Sequence, residues 1–187
     1  MGLFDMFKIE PLKAFFKDYD REDHADILQA AMLLSKNDPG VMKAINSALD
    51  DPVNYLKANA EPFKERGIDF SDRESFSELD DDELLFLAMV NELEEHKFVF
   101  EFDFKCELED FLWGLEQIKN YSLIADTVKT LKLDESGDIE AWGSEINTAL
   151  GEKACLCYID IDSDSYPIAI SDYNVLGELE IPFIMAM

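Results

Sequence analysis

Negative charge is the feature that most constrains what this chain can fold into. Its 187 residues include 42 aspartates and glutamates but only 16 lysines and arginines, which gives a formal net charge of -26 at pH 7. So much like charge is compatible with a compact fold only if the burial of apolar side chains outweighs the repulsion. Hydrophobic residues make up 48% of the chain and aromatic residues 12%, so we expect an ordered protein with a core.

The same charge excludes whole classes of partner. Binding to nucleic-acid phosphates needs a surplus of lysine and arginine that displaces counterions, and this chain has the opposite balance. An anionic lipid surface would repel it, and no apolar stretch reaches the ~20 residues that cross a bilayer. The sequence therefore predicts neither nucleic-acid binding nor membrane association.

Length and cysteine usage bound the class of protein. A chain of 187 residues predicts one domain, or one domain with a helical extension. The three cysteines, Cys106, Cys155 and Cys157, are a small and odd number, which argues against a disulfide framework and for a reducing compartment. The first residues lack the basic and apolar regions of a signal peptide, so we expect a cytoplasmic location.

The chain is predicted to have two regions. Apolar residues at helical spacing predict a helical N-terminal region over residues 1–67. Residues 68–79 are polar and serine-rich, which indicates a connection, and residues 80–187 form a predicted α+β domain, with one continuous domain as the alternative. Two aspartate–proline pairs in the first region each place a capping carboxylate before a proline at the first helical position: Asp38-Pro39 and Asp51-Pro52.

Strand patterns are confined to the second region. Phenylalanine at every second position from Phe98 to Phe104 predicts a strand with one face in the core. Two further apolar runs predict a hairpin, and Pro167 in its return strand cannot donate a ladder hydrogen bond, so that strand lies at an edge or starts there. The fold class is therefore α+β, a helical N-terminal part followed by a small sheet packed by helices, with strands near 98–104, 154–160 and 166–170. A short last helix is predicted around Leu176 and Leu179.

The acidic residues are concentrated in the middle of the chain. Residues 69–110 hold 16 acids and 3 bases, which is half of the net charge in 42 residues. Helix capping accounts for part of this, since Asp80 and Glu83 fit a capping box and acids favour a first turn. Capping does not explain the acids that follow, and a face that binds a basic partner is the alternative to a merely solvated one. The predicted partner-binding residues are Asp80, Asp81, Asp82, Glu94, Glu95, Glu101 and Asp103.

The hairpin turn is the candidate for a cation site. Asp160, Asp162 and Asp164 place three carboxylates at a spacing of two, and hard cations prefer oxygen ligands. The calcium-loop pattern fails, because Ser165 and Ser171 stand where it needs glycine and glutamate. The favoured prediction is a turn in which aspartate and serine side chains form hydrogen bonds with their own backbone. A metal site is the alternative.

Other chemistry finds little support in the sequence. Cys155 and Cys157 share one side of a strand, but zinc spacing is lacking, so buried thiols are expected. The two histidines, His24 and His96, lie in acidic segments that we expect to be exposed helices. Trp113 and Trp142 are expected to be core or half-buried anchors. No cofactor, metal or catalytic residue is predicted.

A resemblance to a known family comes from the C-terminal half. The apolar strand ending at Asp160, the turn Asp162-Ser163-Asp164-Ser165-Tyr166 and the stretch from Phe102 to Leu115 resemble an uncharacterised bacterial domain family of unknown function, over residues 95–185. The resemblance implies an α+β fold and a cytoplasmic bacterial protein, and it brings no catalytic residues. Bacterial immunity proteins, which neutralise toxins, are similar in general type, being small and acidic.

Three functions are compatible with these observations. The first is a non-enzymatic binding module of the immunity type that occludes a basic partner such as a toxin, with a salt-sensitive association rate. The second is an enzyme or metal-dependent site built around Asp160, Asp162 and Asp164, which titration calorimetry with divalent cations tests. The third is a structural or regulatory subunit whose acidity serves solubility. The oligomeric state and the identity of the partner stay open.

Overall fold

A computed structural model describes residues 10–161, 163–172 and 183–187. It divides into two compact units. The first unit comprises the described residues up to Met32 together with Asn37–Glu92, and the second comprises Leu33–Lys36 and the described residues from Leu93 onward. No helix among the described residues is long and apolar enough to cross a membrane. The fold is α+β, with helices first and the sheet later, as the sequence predicts.

The first unit is built from helices. Its helices are α1 (Glu10–Phe15), α2 (Ala25–Leu34), α3 (Pro39–Asp50), α4 (Pro52–Ala58), α5 (Ala60–Glu65) and α6 (Asp81–Glu95), with 3-10 turns at Arg21–His24 and Arg73–Phe76; α2 and α6 run on into the second unit. The predicted Asp-Pro starts are confirmed. The carboxylate of Asp38 accepts from the backbone N–H of Gly40 at 2.9 Å, and that of Asp51 accepts from Asn54 at 3.1 Å.

Residues 68–79 belong to the first unit and contribute to its core. Ile68, Phe70 and Phe76 are 8%, 6% and 0% exposed. The Phe70 ring packs against those of Phe63 and Phe76, with centroids 5.1 and 5.7 Å apart. The polar, serine-rich composition indicated a connection, but these three side chains hold the segment against the helices. The boundary between the units lies later, after Glu92.

Helix α6 has a defined start and a defined end. Asp80 and Glu83 form the predicted capping box, with the Asp80 carboxylate accepting from the Glu83 N–H at 2.9 Å and the Glu83 carboxylate accepting from the Asp80 N–H at 2.7 Å. At the other end Lys97 adopts a left-handed conformation, with φ of 61°. The N–H of Lys97 donates to the Glu94 carbonyl and that of Phe98 to the Leu93 carbonyl, which is the Schellman pattern.

The second unit contains an antiparallel sheet covered by helices. Its strands are β1 (Val99–Asp103), β2 (Cys155–Ile159), β3 (Ser165–Ser171) and β4 (Ile184–Ala186), in the spatial order β1-β3-β2-β4, and its helices are α7 (Leu108–Gln117), α8 (Ala125–Val128) and α9 (Ile139–Leu150), with a 3-10 turn at Tyr121–Leu123. The three predicted strands are present. Strand β4 was not predicted, because it has three residues, of which two are exposed, and it is a strand only through its pairing with β2.

The hairpin of β2 and β3 forms as predicted, but its return strand is not at an edge. Strand β3 lies between β1 and β2. Its ladder with β2 runs from Ser171 to Ile168 and stops before Pro167, while Pro167 lies opposite Glu101 of β1. An inner strand therefore tolerates the proline because it sits beyond the end of the β2 ladder, near the start of the strand. The predicted last helix around Leu176 and Leu179 lies outside the described residues.

Helices α7 and α9 supply the core on the sheet. Phe111, Leu115, Trp142 and Ile146 are at most 2% exposed, and they pack with residues of β1, β2 and β3. A polar tie accompanies this packing. The side-chain amide of Asn147 donates to the carbonyls of Leu156 and Met187 at 2.9 Å each, and its oxygen accepts from the Leu156 N–H at 2.7 Å. This amide joins α9 to β2 and to the residue that follows β4.

Candidate functional site

The three predicted partner-binding acids at the start of α6 are engaged within the first unit. Asp80 caps the helix. An Asp82 carboxylate oxygen lies 2.6 Å from Nδ1 of His24, and an Asp81 oxygen lies 3.9 Å from Nε2 of the same ring. His24 is only 3% exposed and stacks on Tyr19, with centroids 4.8 Å apart. The expectation of an exposed His24 is therefore wrong, because acids distant in sequence cover it.

A further acid of α6, Glu92, is also used internally. The hydroxyl of Tyr55, which is 7% exposed, donates a hydrogen bond to the Glu92 carboxylate. Burial raises the pKa of Tyr55, and the hydrogen bond to Glu92 adds to the rise. Tyr55 therefore stays a neutral donor across the physiological range. Like Asp80 and Asp82, Glu92 serves the packing of α6 on the first unit.

Glu94 and Glu95, the next predicted pair, lie at the other end of α6. Glu94 is half-buried and Glu95 is exposed, and the last turn of α6 holds no basic residue. The carbonyl end of a helix carries partial negative charge, so an acid there costs about 0.3–1 kcal/mol where it is exposed. The helix dipole therefore does not account for the exposed Glu95.

Glu101 and Asp103, the last predicted pair, lie two residues apart on the same face of β1. A Glu101 carboxylate oxygen accepts from the Ser165 hydroxyl at 2.5 Å. The exposed Asp103 accepts from the backbone N–H of Lys105 at 2.8 Å, which shapes the turn after the strand. The seven predicted acids thus divide, three in the first unit and four in the second.

Sequence reasoning missed a set of residues on the outward side of α7. Trp113 is 56% exposed and Trp142 is 2% exposed, so of the two residues expected to be core or half-buried anchors only Trp142 lies in the core. Three acids near Trp113 are exposed as well. Glu109 and Asp110 precede it by four and three residues, and Glu116 follows it by three, so all are its neighbours on the helix surface. We call Glu109, Asp110, Trp113 and Glu116 the α7 face.

A signal for this face was present in the sequence. The apolar stripe of the helix is Leu108, Phe111, Leu112 and Leu115, and Trp113 is not part of it. A tryptophan outside the stripe of an amphipathic helix faces away from the core. What the sequence did not reveal is how the indole is held: its ring meets Phe100 of β1 edge to face, with centroids 5.6 Å apart and planes at 88°.

The carboxylates of the α7 face are exposed to solvent. Within the described part of the chain, none of Glu109, Asp110 and Glu116 forms an ion pair with a lysine or arginine. Helix α7 itself contains no base. Glu109 and Asp110 stand in the first turn, where they favour the helix dipole, but Glu116 stands in the last turn, where it does not. The face thus combines an exposed aromatic ring with uncompensated negative charge.

The cysteines are held as protonated thiols. Cys155 and Cys157 are 3% and 0% exposed, as predicted, and burial raises the pKa of both. Burial also raises the pKa of the half-buried Cys106 to about 11, helped by the carboxylates of Asp110 and Asp103. Because the thiolate is the nucleophile and the metal ligand, these residues are poorly disposed to either role at neutral pH.

The hairpin turn adopts the serine-bonded form. The hydroxyl oxygen of Ser163 accepts from the backbone N–H of Ser165 at 3.1 Å. Asp160 and Asp164 are exposed, and Asp162 lies outside the described residues. Among the residues that the structure describes, no three histidine, cysteine or acidic side chains are placed to hold a metal ion. In the described part of the turn, Ser163 forms a side-chain-to-backbone hydrogen bond of the predicted kind.

Comparison with known proteins identifies the family. Residues 26–180 match the model of a family described as a domain of unknown function, DUF6630. The chain belongs to this family. The resemblance drawn from the hairpin and the β1–α7 stretch is thereby confirmed, and the match reaches back into α2, so it includes most of both units. No curated protein and no solved structure matches the chain.

Proposed function

We propose that this chain is a non-enzymatic acidic module that binds a basic protein partner, and that it acts in the cytoplasm as an immunity-type protein by occluding that partner. The α7 face is the observation that carries the proposal. Protein interfaces are enriched in exposed aromatic anchors, tryptophan above all, surrounded by a polar rim. Here the rim is made of three carboxylates that no lysine or arginine of the described residues neutralises.

The charge of the second unit supports the same proposal. This unit carries 21 acids and 7 bases, counted over Leu33–Lys36 and residues 93–187. Such a field raises the rate at which a cationic protein meets the surface, and it repels acidic competitors. Glu94, Glu95, Glu101 and Asp103 contribute to it. In this proposal Asp80, Asp81 and Asp82 serve the first unit instead of the partner.

Solubility alone is a weaker explanation of these charges. Acids that serve only solubility can stand anywhere on the surface, including positions where they stabilise the fold. Glu95 and Glu116 are exposed in the last turns of α6 and α7, where the helix dipole disfavours them. A function that needs negative charge at those positions accounts for the cost.

Affinity capture from the native host with matched charge variants tests the proposal. The face variant is Glu109→Gln/Asp110→Asn/Glu116→Gln. The control variant is Glu135→Gln/Glu145→Gln/Glu152→Gln. It removes the same number of negative charges from exposed positions elsewhere in the second unit. We expect the wild type and the control to retain one basic protein and the face variant to lose it. The association rate of that pair should fall at least ~10-fold between low and high salt.

The partner's own activity decides the immunity part of the proposal. If the captured protein is a toxin, an equimolar amount of the wild type should abolish its activity, and the face variant should not. A partner that both charge variants retain equally, or an association rate that salt leaves unchanged, would contradict binding through this face.

A further inference from the structure

We propose that Trp113 is the receptor for an arginine side chain of the basic partner, which stacks on the indole and pairs with the carboxylates of the α7 face. This inference rests on the proposed function and adds the chemical group that the face recognises. It follows from the position of one aromatic ring among three acids, and from how the chain uses its own cations.

The geometry surrounds the indole with negative charge along the helix. Glu109 and Asp110 precede Trp113 by four and three residues, and Glu116 follows it by three, so all three side chains stand on the same side of α7 as the ring. The indole ring packs edge to face against the ring of Phe100. The backbone carbonyl of Trp113 accepts a hydrogen bond from the side-chain amide of Gln117 at 3.2 Å. The indole is therefore a supported platform that still leaves the residue 56% exposed.

Aromatic rings elsewhere in this unit already carry cations. Lys105 lies over the ring of Phe104 at 4.5 Å and Lys119 over that of Phe98 at 4.4 Å. Tryptophan attracts a cation more strongly than phenylalanine does. Yet no lysine or arginine of the described residues lies over Trp113. The ring of Trp113 is therefore free to bind a cation supplied by a partner.

Arginine fits this position better than lysine. A guanidinium group is planar and weakly hydrated, so it stacks on an indole while its N–H groups pair with carboxylates in the same plane. An ammonium group is a compact, strongly hydrated charge that gains less from the ring. A second copy of this chain is a poor occupant, because it would bring the same acidic face against this one.

Short cationic peptides test the inference without a known partner. The probes are acetylated, amidated tetra-arginine and tetra-lysine, titrated at low salt into the ¹⁵N-labelled chain. The two tryptophans give two indole N–H signals, and Trp142 is an internal control because its indole N–H is committed to the Asp134 carbonyl at 2.7 Å. We expect tetra-arginine to shift the Trp113 signal and leave that of Trp142 in place, and to bind at least ~3-fold more tightly than tetra-lysine.

Substitution of the ring separates stacking from charge. Trp113→Leu keeps an apolar side chain against Phe100 but removes the cation-binding ring, and Trp113→Phe restores a weaker one. Calorimetric titration, which needs no tryptophan signal, should show that Trp113→Leu abolishes the preference for arginine and that Trp113→Phe retains part of it. The intact Trp142 indole signal reports whether each variant keeps the fold of the second unit.

The outcomes distinguish this inference from the proposed function. Equal binding of the two peptides, or a preference for arginine that survives Trp113→Leu, overturns the arginine receptor while leaving the acidic module standing. Failure of both peptides to bind the wild type at low salt overturns the arginine receptor, and the capture experiment then decides the proposed function separately. Sedimentation that shows a dimer lost on Trp113→Leu would assign the ring to a second copy of the chain and also overturn the inference.

Discussion

Gly114 controls how closely α7 approaches the sheet, and its replacement by alanine makes a sharp prediction. A Cβ atom at this position would overlap Cε1 of Phe102, and it would lie 2.6 Å from Cζ of the same ring and 3.0 Å from Cδ1 of Phe100. The Phe102 ring would have to move by about 1 Å to restore an ordinary carbon–carbon contact. The ring is 3% exposed and confined by Phe100 and Phe111, with centroids 4.7 and 5.2 Å away.

Two effects of opposite sign decide the magnitude. Alanine is better than glycine in a helix interior by about 1 kcal/mol. Overpacking a well-filled core costs about 1–3 kcal/mol, and the upper end applies here because the obstructing atoms belong to a buried, rigid ring. We therefore expect Gly114→Ala to lower the free energy of unfolding of the second unit by about 2 kcal/mol. Ser144→Ala, at an exposed position of α9, should show the propensity gain alone.

Guanidinium titration followed by tryptophan fluorescence measures this effect, since both tryptophans lie in the second unit. Phe102→Leu removes the two ring atoms that obstruct the new Cβ, so in that background Gly114→Ala should be neutral or stabilising. The resulting coupling energy should be about 2 kcal/mol. A stabilised single variant, or a coupling near zero, would refute the close contact of α7 with β1 on which the support of Trp113 depends.

Three further predictions follow from local contacts. Lys97→Gly should raise the free energy of unfolding by about 0.5–1 kcal/mol in the same titration, because Lys97 has a φ of 61°, at which glycine is unstrained. The control Lys97→Ala should not raise the free energy of unfolding, because alanine is strained at that φ as lysine is. His24→Ala should lower the free energy of unfolding of the first unit by about 2 kcal/mol, because it empties a buried position between Tyr19 and Asp82. Denaturant titration followed by far-ultraviolet circular dichroism measures this loss, and its absence would mean that His24 is not packed there. The hydrogen bond to Glu140, with burial, raises the pKa of Tyr166 to about 12. The contribution of Tyr166 to the free energy of unfolding is therefore complete below pH 10 and is lost as the pH rises toward 12. Tyr166→Phe should flatten this part of the plot of stability against pH, and an unchanged plot would contradict the pKa shift.

Local features of the fold could be predicted from the sequence because they depend on near neighbours. The Asp38-Pro39 start of α3 and the capping box of Asp80 and Glu83 each involve residues within four positions of one another. The alternating phenylalanines likewise predict strand β1, but the expected division into a core face and a water face is only partly right, because Phe104 is 43% exposed and Val99 on the opposite face is 2% exposed. Strand β4 and the inner position of β3 could not be predicted, since pairing between distant segments creates both.

The candidate site shows the same division. Amphipathic spacing predicts α7 and its buried stripe, and with it the exposure of Trp113 is readable from the sequence. The support that Phe100 gives to the indole is not, because it depends on the approach of α7 to β1 at Gly114. Likewise the burial of His24 requires the start of α6 to fold against it.

The sequence by itself determined the charge of this protein, its helix starts and the side of the amphipathic helix α7 that enters the core, because these depend on composition and on contacts within a helical turn. Only the tertiary structure decided which carboxylates are used internally, such as Asp80 and Asp82, and which stand beside an exposed ring, such as Glu116. An acid is the same residue in either setting, and what differs is the group that folding brings next to it.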